Sequence, residues 1–435
     1  MKTVVCASRE VPVIAETQVL VVGSGPAGIA AAVAAARCGA QTMLVERYGC
    51  FGGALSVGQV ESYTWYFNEN TYTAEGISKE IDDRMVACGG TQHDDRGTGN
   101  FINPEKYKYM LDCWIAEEGI RPLLHAFVTD VVMEGNVLKG VIVESKSGRG
   151  AILADRIVDA TGDGDVAARA GADFEQGKDN NGQVLPVTMV FGVSGVDTKM
   201  FRNYIESNPE TTNPDTHGLK LPFRRAKQDG RWPVDRDGGA WKELTPNGEF
   251  TSLNLTLENG IDGTNVWDLT HAEIMGRQQV MWAVDVLRDY AKEMGFENCT
   301  LRSMAGQIGI RETRRIKGEY SVCRADVLGH AEFDDTIGVF TTFIDGEVVS
   351  KDDAHFQLPY RMILPKKLEN LAVAGRCASC EDDAIQTVRM MVCCATTGQA
   401  AGTACALSIK EGVSLRNMDV SKLQAQLVSD GVKIR

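Results

Sequence analysis

The sequence predicts an α/β fold interrupted by an α+β insertion, and three observations predict it. A strand–helix–strand alternation opens the chain between Gln18 and Val45. That pattern breaks up from about Pro186 to about Thr336. It then returns, with a short apolar strand from Asn370 to Ala374 and an Ala-rich helix from Thr396 to Lys410 that stops at Gly412. Chains that alternate short apolar strands with helices build parallel sheets covered by those helices.

Each element has its own justification. Gln18 to Val22 ends in an unbroken apolar run and reads as a buried strand. Pro26 to Arg37 reads as a helix, since Pro suits a first turn and Gly39 marks a stop. Gln41 to Val45 is the second strand. Ser62 to Asn103 differs in character: it carries Tyr63, Trp65, Tyr66, Phe67 and Tyr72, then a helix-like Ala74 to Cys88 and a polar Gly-rich loop. Pro104 to Glu118 reads as a helix. Pro122 to Glu134 and Leu138 to Ser145 read as a strand pair turning at Gly135-Asn136, and Ala151 to Ala160 adds a strand. Beyond Pro186, Thr188 to Val193 reads as a strand and Asn208 to Phe250 as loops and short strands. Leu269 to Lys292 reads as a long amphipathic helix. The expected organisation is a first domain over 1–185 with a lid-like insertion at about 62–103, an inserted substrate or cap domain over 186–336, and a return to the first domain over 337–435.

Composition excludes several classes. The chain has 435 residues, enough for a large core without disulfide or metal staples. A net charge of −14 argues against nucleic-acid or anionic-membrane binding. No run reaches the roughly 20 apolar residues of a membrane span, and the first residues lack a signal-peptide pattern. The 12 cysteines form no short disulfide framework, which suits a reducing compartment. A cytoplasmic protein is expected, and homo-oligomerisation is left open.

The motif with the clearest chemistry is Gly23-Ser24-Gly25-Pro26-Ala27-Gly28, a G-x-G-x-x-G between a strand and a helix. Gly23 permits the tight turn, Gly25 lets backbone approach a pyrophosphate, and Gly28 lets the helix pack on the sheet. The helix N-terminus offers free N–H groups to an anion. Glu46 ends the second strand 18 positions after Gly28, where a carboxylate accepts ribose hydroxyls and repels a 2′-phosphate. A Rossmann dinucleotide site follows.

Further segments resemble the FAD-dependent oxidoreductases of glutathione-reductase-like fold. Glu46-Arg47 followed by Gly52-Gly53 is similar to that superfamily's run after the ribose carboxylate. Val158-Asp159-Ala160-Thr161-Gly162-Asp163 resembles its A-T-G turn. Leu371 to Arg376 resembles its late strand ending in Gly-Asp, with Arg376 standing where the family has the Asp that holds the ribityl chain. Gly398-Gln399-Ala400-Ala401-Gly402 opens a helix whose N-terminus would face the flavin N1–O2 edge. With Arg311-Glu312-Thr313-Arg314-Arg315, the chain is most similar to a broad bacterial group called the FAD-dependent oxidoreductase family. The resemblance implies FAD as cofactor and a hydride exchanged between a small organic substrate and flavin N5. It implies cofactor contacts at Gly23, Ser24, Gly25, Pro26, Ala27, Gly28, Glu46, Arg47, Gly52, Gly53, Ala54, Ser56, Val128, Ala160, Thr161, Gly162, Gly375, Arg376, Gly398, Gln399 and Ala400. The alternatives are a monooxygenase of the aromatic hydroxylase type and a protein that uses FAD without redox chemistry.

Other readings are weaker. Cys50 stands without a partner cysteine nearby, against disulfide reduction. Gly162-Asp163-Gly164-Asp165 would turn two aspartates toward any phosphate, against a second nucleotide site. Cys377-x-x-Cys380 and Cys393-Cys394 match no standard metal spacing, so buried thiols are expected and no metal. Catalysis needs a base and an anchor. His355, just before the late segment, is the candidate base. Arg389 is the candidate partner for a substrate carboxylate or for charge on reduced flavin. Tyr63, with the aromatics that follow it, is the candidate lid and proton donor. His271 reads as a helix-capping residue and His125 as a structural strand residue.

Overall fold

The computed structural model describes residues 2–4, 10–64, 75–93, 99–208, 219–241, 245–344, 347–349 and 354–435. Trp65, Tyr66, Phe67, Tyr72 and part of the 62–103 segment lie outside the described residues.

The first strand, β1 (Val13–Val22), ends in Val19–Val22, all buried. Helix α1 (Pro26–Arg37) begins with Pro26 in its first turn behind Gly25, and buries every residue from Pro26 to Ala35. Strand β2 (Thr42–Val45) then pairs parallel with β1, Val19 opposite Thr42 and Val22 opposite Val45. The sheet extends on one side to Arg121–Leu123 and on the other to Gly148–Asp159. From there it continues antiparallel through Val137–Ser145 to Phe127–Glu134, while Leu371–Val373 pairs parallel with Gly148–Asp159. The result is a seven-stranded mixed sheet.

Two expectations change here. The predicted strand from Pro122 is broken, because His125 sits at φ 55 between Leu123 and Phe127, with its ring against Gly49. The late helix runs from Met391 to Glu411, starting five residues before Thr396. Met390 caps it without any side-chain hydrogen bond, so the sequence offered no start signal. This helix has the length and mean hydropathy of a membrane span although Thr, Gln and Ser interrupt its apolar residues, and 89% of its most apolar 18 residues are buried in the protein. It lies against α1 at backbone contact. A Cβ on Gly398 would sit 2.1 Å from the Ala27 carbonyl oxygen, and one on Gly402 2.0 Å from that of Ala31. Glycines four apart on one helix face are what let two helices approach so closely.

A second sheet is antiparallel, ordered Ala240–Trp241, Phe250–Asn254, Phe191–Ser194, Thr300–Met304. The helix Val266–Tyr290 covers a separate core with Ala272, Gly276, Val280, Ala283, Val284 and Leu287, at the spacing of one helical face. Asn265 caps it by accepting from the Trp267 N–H at 2.9 Å, so His271 is not the cap. The stretch expected as loops holds a helix, Lys220–Gln228, which buries Pro222, Phe223 and Ala226 beneath Lys220, Arg224, Arg225 and Lys227. Its cationic outer face hid the apolar one.

The chain leaves and re-enters the first region through two paired strands, Phe174–Gln176 and Arg314–Ile316. Buried Arg315 bonds Glu312 beside them, and donates to the carbonyls of Gly177 and Cys380 at 3.1 Å each. Glu312 also accepts from the Leu185 N–H at 3.0 Å. The outgoing and returning segments are thereby tied to each other and to the late loop.

Candidate functional site

A cavity of about 370 Å³ opens at the C-terminal end of β1, where open α/β sheets place their ligands. Gly23 there has φ +92, and a Cβ on it would meet the Ala160 carbonyl oxygen at 2.5 Å. Gly25 is the opposite case: nothing lies within 4 Å of where its Cβ would be. The N-terminus of α1 has no side-chain cap and no acidic residue in its first turn, so its free N–H groups are open to an anion.

Glu46 is buried and held by three donors. The Ser24 N–H and Oγ–H reach Oε2 at 2.9 and 2.6 Å, and the Tyr48 N–H reaches Oε1 at 3.0 Å. Its orientation is fixed before any ligand arrives, and each oxygen keeps room for another donor.

Of the residues expected at the cofactor, Gly23, Ser24, Gly25, Pro26, Ala27, Glu46, Arg47, Gly53, Ala54, Val128, Ala160, Thr161, Gly162, Gly375 and Arg376 line this one cavity. Six do not. Gly28 packs α1 onto its own turn, where a Cβ would lie 1.8 Å from the Gly23 carbonyl oxygen. Gly52, at φ +107, lies against Tyr107, and Ser56 donates inward to the Gly53 carbonyl. Gly398, Gln399 and Ala400 lie two turns inside their helix: Gly398 against α1, Gln399 accepting from the Ile77 N–H at 2.8 Å, Ala400 in the core. The part of that helix lining the cavity is Met391 and Cys394.

Among the catalytic candidates, Arg389 lines the cavity, and its Nη2 donates to Gln386 at 3.0 Å. His355 does not. It sits on the strand His355–Pro359, opposite Thr341. Tyr63 does not either: it is wholly buried, and its hydroxyl donates to the Ser78 carbonyl at 2.8 Å. Nearness in sequence to the late segment did not bring His355 to the cavity, because its strand belongs to a separate two-stranded sheet. The sequence reading did not pick out Thr188, Asn254, Gln307, Ile308, Gly309 and Ile310, which line the same cavity with Arg311. Arg311 belonged to a recognised motif; the others are neutral residues from three separate segments, and nothing in their spacing marks a common wall.

The Arg311–Arg315 run proves to be a hub. Arg311 donates to the Pro186 carbonyl, Thr313 donates to Asp163 at 2.8 Å, and Arg314 reaches the Asp163 carbonyl at 2.8 Å and Asp165 at 3.1 Å. Burial pushes the Asp165 carboxyl up, but Arg169 and Arg314 outweigh it and hold its pKa below the ordinary value. Burial, the largest cause, pushes the Cys380 and Cys394 thiols up to about 12, with Glu312 and Asp382 adding to it at Cys380, so both are protonated at neutral pH. Among the described residues, no three His, Cys, Asp or Glu side chains converge as a metal cluster would require.

The family model for FAD-dependent oxidoreductases matches residues 18–427. The chain belongs to that family. It is an enzyme, and its cofactor is FAD, for which the uncapped helix, the open face of Gly25 and the braced Glu46 are a fitting cradle. Solved structures resemble it distantly. A p-nitrophenol 4-monooxygenase from Pseudomonas putida DLL-E4 is 9% identical, over 96% of this chain and 89% of that one, with a TM-score of 0.48. A geranylgeranyl bacteriochlorophyll reductase-like protein from Thermoplasma acidophilum is 12% identical, over 96% and 84%, with a TM-score of 0.45. At such scores neither likeness bears on the reaction of this oxidoreductase.

Proposed function

We propose that this oxidoreductase exchanges a hydride between a small organic substrate and flavin N5, in a glutathione-reductase-like arrangement. The FAD-binding domain in this reading is built from 1–185 and 337–435, and 186–336 forms the substrate or cap domain. One observation carries it. The cavity that begins at the glycine loop continues to Thr188, Asn254, Gln307 and Arg311, so a single space is shared by the cradle and the inserted segment. Bound FAD supplies the hydride chemistry. The chain supplies donors at Thr188, Asn254, Gln307 and Arg311 to orient a polar substrate, and Arg389 beside the helix start at Met391 to steady negative charge.

The experiment is a visible spectrum of the purified protein, repeated on the supernatant after acid precipitation. Anaerobic additions of small alcohols, amines and acids follow. Flavin bands released by acid and bleached by one substrate class are the expected result. A flavin that dithionite reduces but that bleaches only with NADPH, with oxygen uptake, would move the reading to a monooxygenase. A flavin that nothing reduces would end it.

A further inference from the structure

The departure at Arg376 has a partner that the sequence reading treated as an obstacle. Arg376 Nη2 donates to Asp163 Oδ1 at 2.8 Å, and Nη1 donates to Thr313 Oγ1 at 3.1 Å. The Thr313 hydroxyl donates to the same Asp163 oxygen at 2.8 Å, which closes a triangle. Arg47 stands 4.0 Å from the other Asp163 oxygen. Asp165, on the same turn, holds Arg169 at 3.0 Å and Arg314 at 3.1 Å. Two carboxylates thus bind four guanidinium groups, of which Arg47 and Arg376 reach the cavity.

The frame has a direction. The Asp163 side chain is 7% exposed and Arg376 18%; Arg376, Arg47 and Asp165 line the cavity, and Arg169 and Arg314 do not. Gly162 makes room for it: at φ +77, a Cβ there would lie 2.8 Å from Arg376 Nη2. The same cavity receives the uncapped N-terminus of α1. A bonded guanidinium loses less freedom on meeting an anion than a mobile one does.

We propose that the turn from Gly162 to Asp165 mounts a cationic frame that grips the diphosphate of FAD. Arg376 is the binding residue, and Asp163 and Thr313 are its positioning residues. Asp163 serves the phosphates by holding Arg376 toward them, while Asp165, itself at the cavity, is neutralised by Arg169 and Arg314. This rests on FAD as the cofactor and is independent of the substrate.

The test follows FAD leaving the full-length holoenzyme, by recovery of flavin fluorescence on dilution at several salt concentrations. Arg376→Met speeds release by about tenfold or more, the scale of a lost charge-assisted bond, and flattens its salt dependence. Asp163→Asn speeds release by less, and its effect shrinks once Arg376 is Met, what remains acting through Arg47. Thr313→Val follows Asp163→Asn, while Thr313→Ser keeps the hydroxyl and restores slow release. Should Asp163→Asn fold poorly, the Thr313 pair completes the same cycle with Arg376→Met. Release from Arg376→Met no faster than from the unaltered enzyme overturns the proposal. So does an Asp163→Asn effect equally large with and without Arg376.

Discussion

The two cores of this protein are filled in opposite ways. Around the cradle, α1 and the Met391–Glu411 helix meet through alanine and glycine, so backbone lies against backbone. Around the second sheet, Phe201, Phe250, Phe296 and Trp241 pack edge-on or stacked, with ring centroids 5.0–5.8 Å apart. Small residues bring main-chain groups close to a ligand and leave no tolerance for an added atom. Large rings fill the gap between one long helix and an open sheet, and put their worth into burial. The cradle is therefore specified by what is missing from its side chains, and the second core by what is present.

That contrast can be broken from either side. The largest expected effect on stability is Phe201→Ala, about 3–5 kcal/mol from the cavity it leaves. FAD content per folded molecule stays near that of the parent, as read by urea denaturation and flavin absorbance together. Gly25→Ala is the reverse case. Its Cβ meets nothing within 4 Å and its φ is an ordinary −63°, so stability moves by no more than about 0.5 kcal/mol. Flavin content falls sharply, because the methyl group fills the space the diphosphate needs. Equal loss of stability and flavin in both variants would erase the distinction between the cores.

The smallest effect sharpens the electrostatic side of the cradle. The Asp165 pKa is lowered on folding, so the group contributes stability above its unfolded pKa of about 3.9 and loses it as pH falls through the folded value. Asp165→Asn is therefore less stable than the parent at pH 7, and the gap narrows below about pH 4. Denaturation series at neutral and acid pH measure it; a gap that widened in acid would reverse the assignment.

Local signals were legible and long-range ones were not. Helix α1 has the predicted bounds, because Pro26, the alanine run and Gly39 fix its start, face and end within a few residues. The Gly135-Asn136 turn joins Glu134 to Val137 as expected, since a two-residue turn of that type sets its own register. The Met391 start was missed for lack of a capping side chain, and Lys220–Gln228 because its charges outnumber its buried residues. His355 and Tyr63 were chosen for their chemistry and their nearness in sequence, neither of which says where a side chain faces.

By itself the sequence determined the cradle: Gly23, Gly25 and Gly28 at a strand–helix turn, and Glu46 at the end of the next strand. Such features rest on backbone preferences and spacing inside one short unit, so a local stretch of sequence carries them. The tertiary structure alone decided that Arg376 meets Asp163 across 213 positions, and that Gln307 to Arg311 line the same cavity as the glycine loop. Charge partners and cavity walls drawn from distant segments are chosen by packing, and packing leaves no period in the sequence.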